Sequence, residues 1–224
     1  MAKGNRGGKG TYQGSAQFSK GGLGRGGTPS TDLNVAGWTP DAGSSSVNGT
    51  KTLNSAEKRI QNLDHEQLVV VGKDGYVMAV VDGGDSSVDL TAKALQEIRA
   101  GGVMTHNHPN GGTFSTTDII TAGDIGAKEI RAVSRMTGKS YSLKAGNKAD
   151  GHGLSSAMRK AENSIIKSAN DRLANTVNKR TYANKNNYMK AVDKVWDDVM
   201  GEWLSANASK HGYTYSSVKT GKAN

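Results

Sequence analysis

Between residues 52 and 146 the chain alternates short apolar runs with polar punctuation, and the period of each run predicts an element. Asn54 followed three residues later by Glu57 reads as the capping box of a short helix carrying Ala56, Ile60 and Leu63 on one face. QLVVVG, residues 67 to 72, is a β-branched run; the turn from Lys73 to Gly75 leads into YVMAVV and predicts a hairpin. Thr91 to Ala100 predicts a second helix with Ala94, Leu95 and Ile98 turned inward and Gly101-Gly102 as its stop. GVMT, residues 102 to 105, predicts a buried strand that ends on HNHP. Thr116 to Ala127 predicts a third helix, and IRAVSR, the turn through Gly138 and SYSLKA predict a second hairpin. Helix, two strands, helix, strand, helix, two strands is the order of an α+β fold, an α/β sandwich in which helices flank one sheet.

Outside that segment the pattern changes. Met158, Ala161, Ile165, Ala169, Leu173 and Val177 recur at helical spacing, as do Tyr188, Val192, Val195, Val199 and Trp203. Residues 147–224 therefore read as a C-terminal helical annex, packed on the core or offered as an oligomer interface. Residues 1–51 are rich in Gly, Ser, Thr and Asn with no sustained period, and read as a disordered basic tail in which Trp38 is the one residue fit to dock.

Composition sharpens this picture. With 224 residues, 34% hydrophobic content and 30 glycines, the chain supports one modest domain, 52–146, with appendages. Zero cysteines exclude disulfides and thiolate metal sites, so histidine and carboxylate are the strong ligand types left. No run approaches the ~20 apolar residues of a membrane span, and the start lacks a signal peptide's apolar run, so a cytoplasmic, unsecreted protein is expected. The formal charge of +9 lies outside the middle segment: residues 1–30 hold Lys3, Arg6, Lys9, Lys20 and Arg25 with no acid. Such a tail reads first as a solubilising arm, with a nucleic-acid or phosphate-binding arm as the alternative, since polyanions are attracted by the charge but interleaved aromatics are lacking.

The chemistry lies in THNHPNGGTFSTTDI, residues 105 to 119. In an extended strand residues i and i+2 point the same way, so His106 and His108 present both imidazoles to one point. A loop of Pro, Asn and Gly can fold back to bring Asp118 as a third ligand. Two nitrogens, one oxygen and an open position are the pattern of a catalytic zinc site, in which the pKa of water falls to about 7. Glu66, just before the QLVVVG strand, is the candidate general base, with Asp64 and Glu57 as alternatives. Ser115 is the candidate oxyanion donor, a role compatible with capping the helix through Ser-x-x-Asp. His65 on a strand faces away from Glu66's side, and His152 and His211 lack ligand spacing.

Glu66 before a strand, HNHP at 106 to 109, and Ser115 with Asp118 together resemble the Glu, His-x-His-Pro, Ser-x-x-Asp motif of JAMM (MPN-type) zinc metalloproteases, and the HNHP wording is similar to RadC-like and bacterial or phage JAMM-like proteins. The likeness covers roughly residues 52–146. It implies a cytidine-deaminase-like mixed sheet, Zn2+ held by His106, His108 and Asp118, Glu66 as general acid/base, Ser115 at the oxyanion, and a protein or peptide substrate cleaved at an amide or isopeptide bond, often beside a ubiquitin-like tail. The loop from His108 to Ser115 is one residue shorter than the family's, and Phe114 stands where proline is frequent. The alternative function is a phage-associated structural or nucleic-acid-binding protein that uses such a domain as a scaffold.

Overall fold

A computed structural model of the chain describes residues 22–24, 30–35, 38, 49–85, 87–109, 111–177 and 181–220. The N-terminal part holds β1 (Gly22–Gly24), β2 (Thr31–Asp32) and α1 (Gly49–Ile60). Then follow β3 (Gln67–Val71), β4 (Val77–Asp82), β5 (Ser87–Asp89), α2 (Ala92–Arg99), β6 (Val103–His108) and α3 (Thr116–Ile125). The chain finishes with β7 (Glu129–Ser134), β8 (Lys139–Ala145), α4 (Gly151–Thr176), α5 (Lys185–Asn207), a 3₁₀ turn at Ala208–His211 and β9 (Tyr213–Lys219).

Seven strands form one mixed sheet in the order β2-β4-β3-β6-β7-β8-β9, while β1 and β5 pair in parallel as a separate ribbon. Only β6 and β7 within the large sheet run parallel. A parallel pair needs a crossover, and α3 supplies it, so α3 lies over the sheet face next to the end of β6. Alternation along each strand then divides the interior in two. Leu68, Met104, Ile119, Ile130, Ala132, Leu143, Leu154, Met158 and Trp196 pack together on the face covered by α2 to α5. Val69, Val71, Val80 and Val133 pack with Ala56, Ile60 and Trp38 on the face covered by α1. The molecule is an α+β sandwich.

Three expectations change. Segments inside the expected tail are ordered into the fold: β2 pairs with β4, and Trp38 is buried in the α1-side core with Arg59 stacked on its ring at 3.8 Å. An aromatic ring with a partly buried valine and leucine nearby is enough to anchor a glycine-rich segment; the basic residues from 1 to 21 and Arg25 lie outside the described residues. The C-terminal annex is part of the central sheet, because the polar strand β9 pairs along the whole of β8 and the α4 and α5 apolar faces belong to the main core. Finally α1 begins at Gly49, so Asn54 is inside the helix and caps nothing.

Glu57 consequently does something else. Buried on α1, it accepts from Arg131 of β7 at 2.5 Å (Nε to Oε1) and 3.3 Å (Nη2 to Oε2). Arg131 Nη1 reaches Glu129 at 3.0 Å, and Ser142 donates to the same carboxylate at 2.7 Å. This places Glu57 on the sheet face opposite His106. Removing one member of a buried ion network strands the rest, at a cost of about 3–5 kcal/mol. Arg131→Met should therefore lower unfolding stability in urea by that amount, and a loss under ~1 kcal/mol would show that water replaces the guanidinium.

Candidate metal centre

Strand β6 runs through the two histidines, so Met104, His106 and His108 share the face that packs on α3, while Thr105 and Asn107 face α1. The turn after the strand is tight: Gly111 donates to the His108 carbonyl at 3.0 Å. Gly111 and Gly112 then take φ of +79° and +109°, which side chains resist, and this lets a short loop double back. It delivers Ser115 as the N-cap of α3. Ser115 Oγ accepts from the Asp118 amide at 3.0 Å, and Asp118 Oδ2 accepts from the Ser115 amide at 2.7 Å, a reciprocal capping box.

The three ligand types converge. His106 Nε2 and His108 Nε2 are 2.9 Å apart; Asp118 Oδ1 is 3.4 Å from the first and Oδ2 is 3.5 Å from the second. A tetrahedral zinc with bonds near 2.0–2.1 Å has ligand-to-ligand edges of about 3.3 Å, so these spacings fit one ion. His106 and Asp118 are fully buried and His108 is 8% exposed, which leaves His108's side as the open approach. His106 Nδ1 is buried with no hydrogen-bond partner among the described residues, so its ring is oriented by packing and by what Nε2 faces. The cluster of His106, His108 and Asp118 can hold a metal ion.

Glu66 joins it by register. Leu68 pairs with His106 in the antiparallel β3–β6 ladder; carrying that register on by two puts Glu66 across from His108 on the same face. Its backbone is pinned, the amide donating to Gly84 at 2.8 Å and the carbonyl accepting from Gly83 at 2.9 Å. Asn107, on the opposite face, brackets it: Oδ1 accepts from the Gln67 amide at 2.7 Å and Nδ2 donates to the His65 carbonyl at 2.8 Å. The alternatives to Glu66 lie elsewhere. Glu57 is bound to Arg131, and Asp64 is exposed, accepting from His65 Nδ1 at 3.0 Å. His65 Nε2 also faces Asp82, at 2.8 Å, while His152 meets Asp124 on the surface at 2.7 Å.

Sequence reasoning passed over two further acids. Asp193 and Asp197 on α5 are buried beside this region, a position that a helical periodicity of apolar residues does not reveal.

Electrostatics bind the cluster together. Burial by itself would depress His108, but the hydrogen bond and charge of Asp118, the charge of Glu66 and a backbone hydrogen bond to Gly112 prevail and raise its pKa to about 9. Burial likewise opposes ionisation of Asp118, yet the His106 and His108 imidazoles hold its carboxyl well below the usual carboxylate range. Comparison with protein-family models, with curated proteins and with solved structures finds no match. Among the described residues no helix is long and apolar enough to cross a membrane.

Because His108's folded value lies above its ordinary 6.5, protonation stabilises the metal-free fold below about pH 6.5, and that contribution is lost as pH rises through about 9. At pH 7 a cation must displace this proton. In the metal-free protein, titration of the His108 ring followed by NMR should show a midpoint well above the ordinary 6.5, near 9. A midpoint at or below 6.5 would show that burial outweighs the Asp118 and Glu66 charges.

Proposed function

We propose that this protein is a zinc-dependent peptidase or isopeptidase that hydrolyses an amide bond with water, in the manner of the JAMM-type motif its residues resemble. The observation that carries the reading is the buried His106, His108 and Asp118 cluster with the Glu66 position across from His108. Two imidazoles and a carboxylate suit zinc better than the hard cations, which favour all-oxygen sites. Zinc held there supplies a Lewis acid that polarises a carbonyl oxygen and makes water acidic near neutral pH.

The chain's own groups supply the rest. Glu66 accepts a proton as a water oxygen adds to the carbonyl carbon, and returns it to the nitrogen as the C–N bond breaks, so no net proton is consumed. Its pinned backbone and its burial limit where the carboxylate can reach. The Ser115 hydroxyl oxygen already accepts from the Asp118 amide, which leaves its proton to donate to the oxyanion of the tetrahedral intermediate. Burial of Phe114 and Ile119 beside Ser115 and Asp118 lowers the local dielectric and strengthens both effects.

A panel of lysine-linked and linear peptide conjugates, combined with metal analysis, tests this. Glu66→Gln should abolish cleavage while zinc stays stoichiometric; His106→Ala should lose both. A Glu66→Gln variant as active as the native protein would remove Glu66 from the mechanism, and native protein purified without chelator yet free of zinc would remove the reading. Ser115→Ala should lower kcat about 10²–10³-fold and, through the lost cap, cost about 1 kcal/mol of stability. A stability loss with kcat unchanged would leave Ser115 a cap only.

A further inference from the structure

Helix α5 carries four acids, Asp193, Asp197, Asp198 and Glu202, and they divide by what faces them. Asp198 meets Lys139 at 3.0 Å and Lys194 at 2.7 Å, and Glu202 takes both Arg172 nitrogens at 2.8 Å. These two are compensated and partly exposed. Asp193 and Asp197, four residues apart and so on one face, are 4% and 2% exposed, and no ion pair reaches either among the described residues. Asp197 Oδ2 accepts from the Tyr141 hydroxyl at 2.5 Å, whereas its Oδ1 is buried with no hydrogen-bond partner among the described residues. The charges of Lys139 and His108 act on Asp197 from a distance, but neither forms an ion pair with it and burial prevails, so a buried carboxylate oxygen without a donor calls for an occupant.

The space for one is present. A cleft of about 540 Å³ opens between α5 and strands β8 and β9, lined by Asp197, Asp198, Glu202, Tyr141, Tyr215 and Lys139, the last already paired with Asp198. The two tyrosine rings stack with centroids 6.5 Å apart at 13°, giving an aromatic wall for an alkyl stem or a cation. A Cβ on Gly201 would lie 3.1 Å from the Tyr215 hydroxyl, so the absence of a side chain there brings α5 close to β9. The cleft adjoins the metal centre. Tyr215 meets the edge of Phe114, the residue before Ser115, and a Cβ on Gly111 would lie 3.8 Å from that of Asp193.

We propose that this cleft binds a cationic side chain, a lysine ammonium or an arginine guanidinium, with Asp197 as its direct partner and Asp193 adding its charge from one turn away. Burial, followed by the charge of Asp197, pushes Asp193 up to about 7, so an empty site shares a proton that an incoming cation replaces. The lysine at a scissile isopeptide bond is an amide and carries no charge. The cation is therefore a different residue, a lysine or arginine flanking the bond, and its role as a substrate subsite rests on the hydrolase reading. Cation binding itself does not.

Full-length metal-free protein is titrated with Nα-acetyl-lysine methylamide, its arginine counterpart and the Nε-acetylated lysine compound as neutral control, followed by NMR. The two cations should bind at least tenfold more tightly than the neutral control. Asp197→Asn, which keeps an acceptor for Tyr141, should weaken both cations at least tenfold, while Asp124→Asn, at the surface beside His152 and outside the cleft, should change them less than twofold. Equal binding of charged and neutral probes, or undiminished binding in Asp197→Asn, overturns the proposal. If that variant does not fold, Asp193→Asn carries the same expectation, and discrimination by the native protein decides alone. Because no bond is cleaved and no zinc is present, failure here is separate from failure of the Glu66→Gln test.

Discussion

Asp118 is held at the first turn of α3 by reciprocal hydrogen bonds with Ser115, and that pair decides where its carboxylate points. One oxygen is used by the backbone, at 2.7 Å, and the other turns to His106. The capping box thus orients a candidate metal ligand while it satisfies orphan helix amides. Its position over β6 follows from topology. The parallel β6–β7 pair requires a crossover on one face, α3 is that crossover, and the loop is short only because Gly111 and Gly112 accept positive φ.

The sheet separates chemistry from anchoring. His106 and His108 project to the face of α3, whereas Thr105 and Asn107 project to the face of α1. On that second face Arg131 ties Glu57 of α1 to Glu129 of β7, and Asn107 joins β6 to both sides of Glu66. The candidate base is therefore positioned from behind, by groups that never enter the centre. The pinned backbone fixes where the side chain starts, and burial at 3% exposure restricts its rotamers, so less freedom is left to lose when the carboxylate meets a partner.

The site's ligands were legible because spacing and geometry coincide there: two histidines two apart need only a strand, and Ser-x-x-Asp needs only a helix start. Periodicity also found every strand of four or more apolar-rich residues. It missed β1, β2 and β5, which are two or three residues long, and β9, whose YTYSSVK carries serines and lysine because one edge and one face meet water. It placed the start of α1 five residues late, since Gly49 to Lys51 have no helical signature and the helix is held by tertiary packing. Asp193 and Asp197 were unreadable for a related reason. An acid every fourth residue looks like a solvated helical stripe until Tyr141 and β9 are seen to cover it.

The sign of the buried charge bears on which partners the centre can serve. The chain carries +9 overall, yet around the centre stand Glu66, Asp118, Asp193 and Asp197 against two imidazoles. Low dielectric magnifies this local field relative to charges more than about 8–10 Å away, which are screened at physiological salt, while Lys139, close by, is paired with Asp198. A metal ion and a cationic side chain are both favoured by the same field. The acids on α5 and the candidate ligands on β6 and α3 are buried close together, so the charge of each group bears on the others: burial raises the pKa of Asp197, and the charge of His108 opposes that rise.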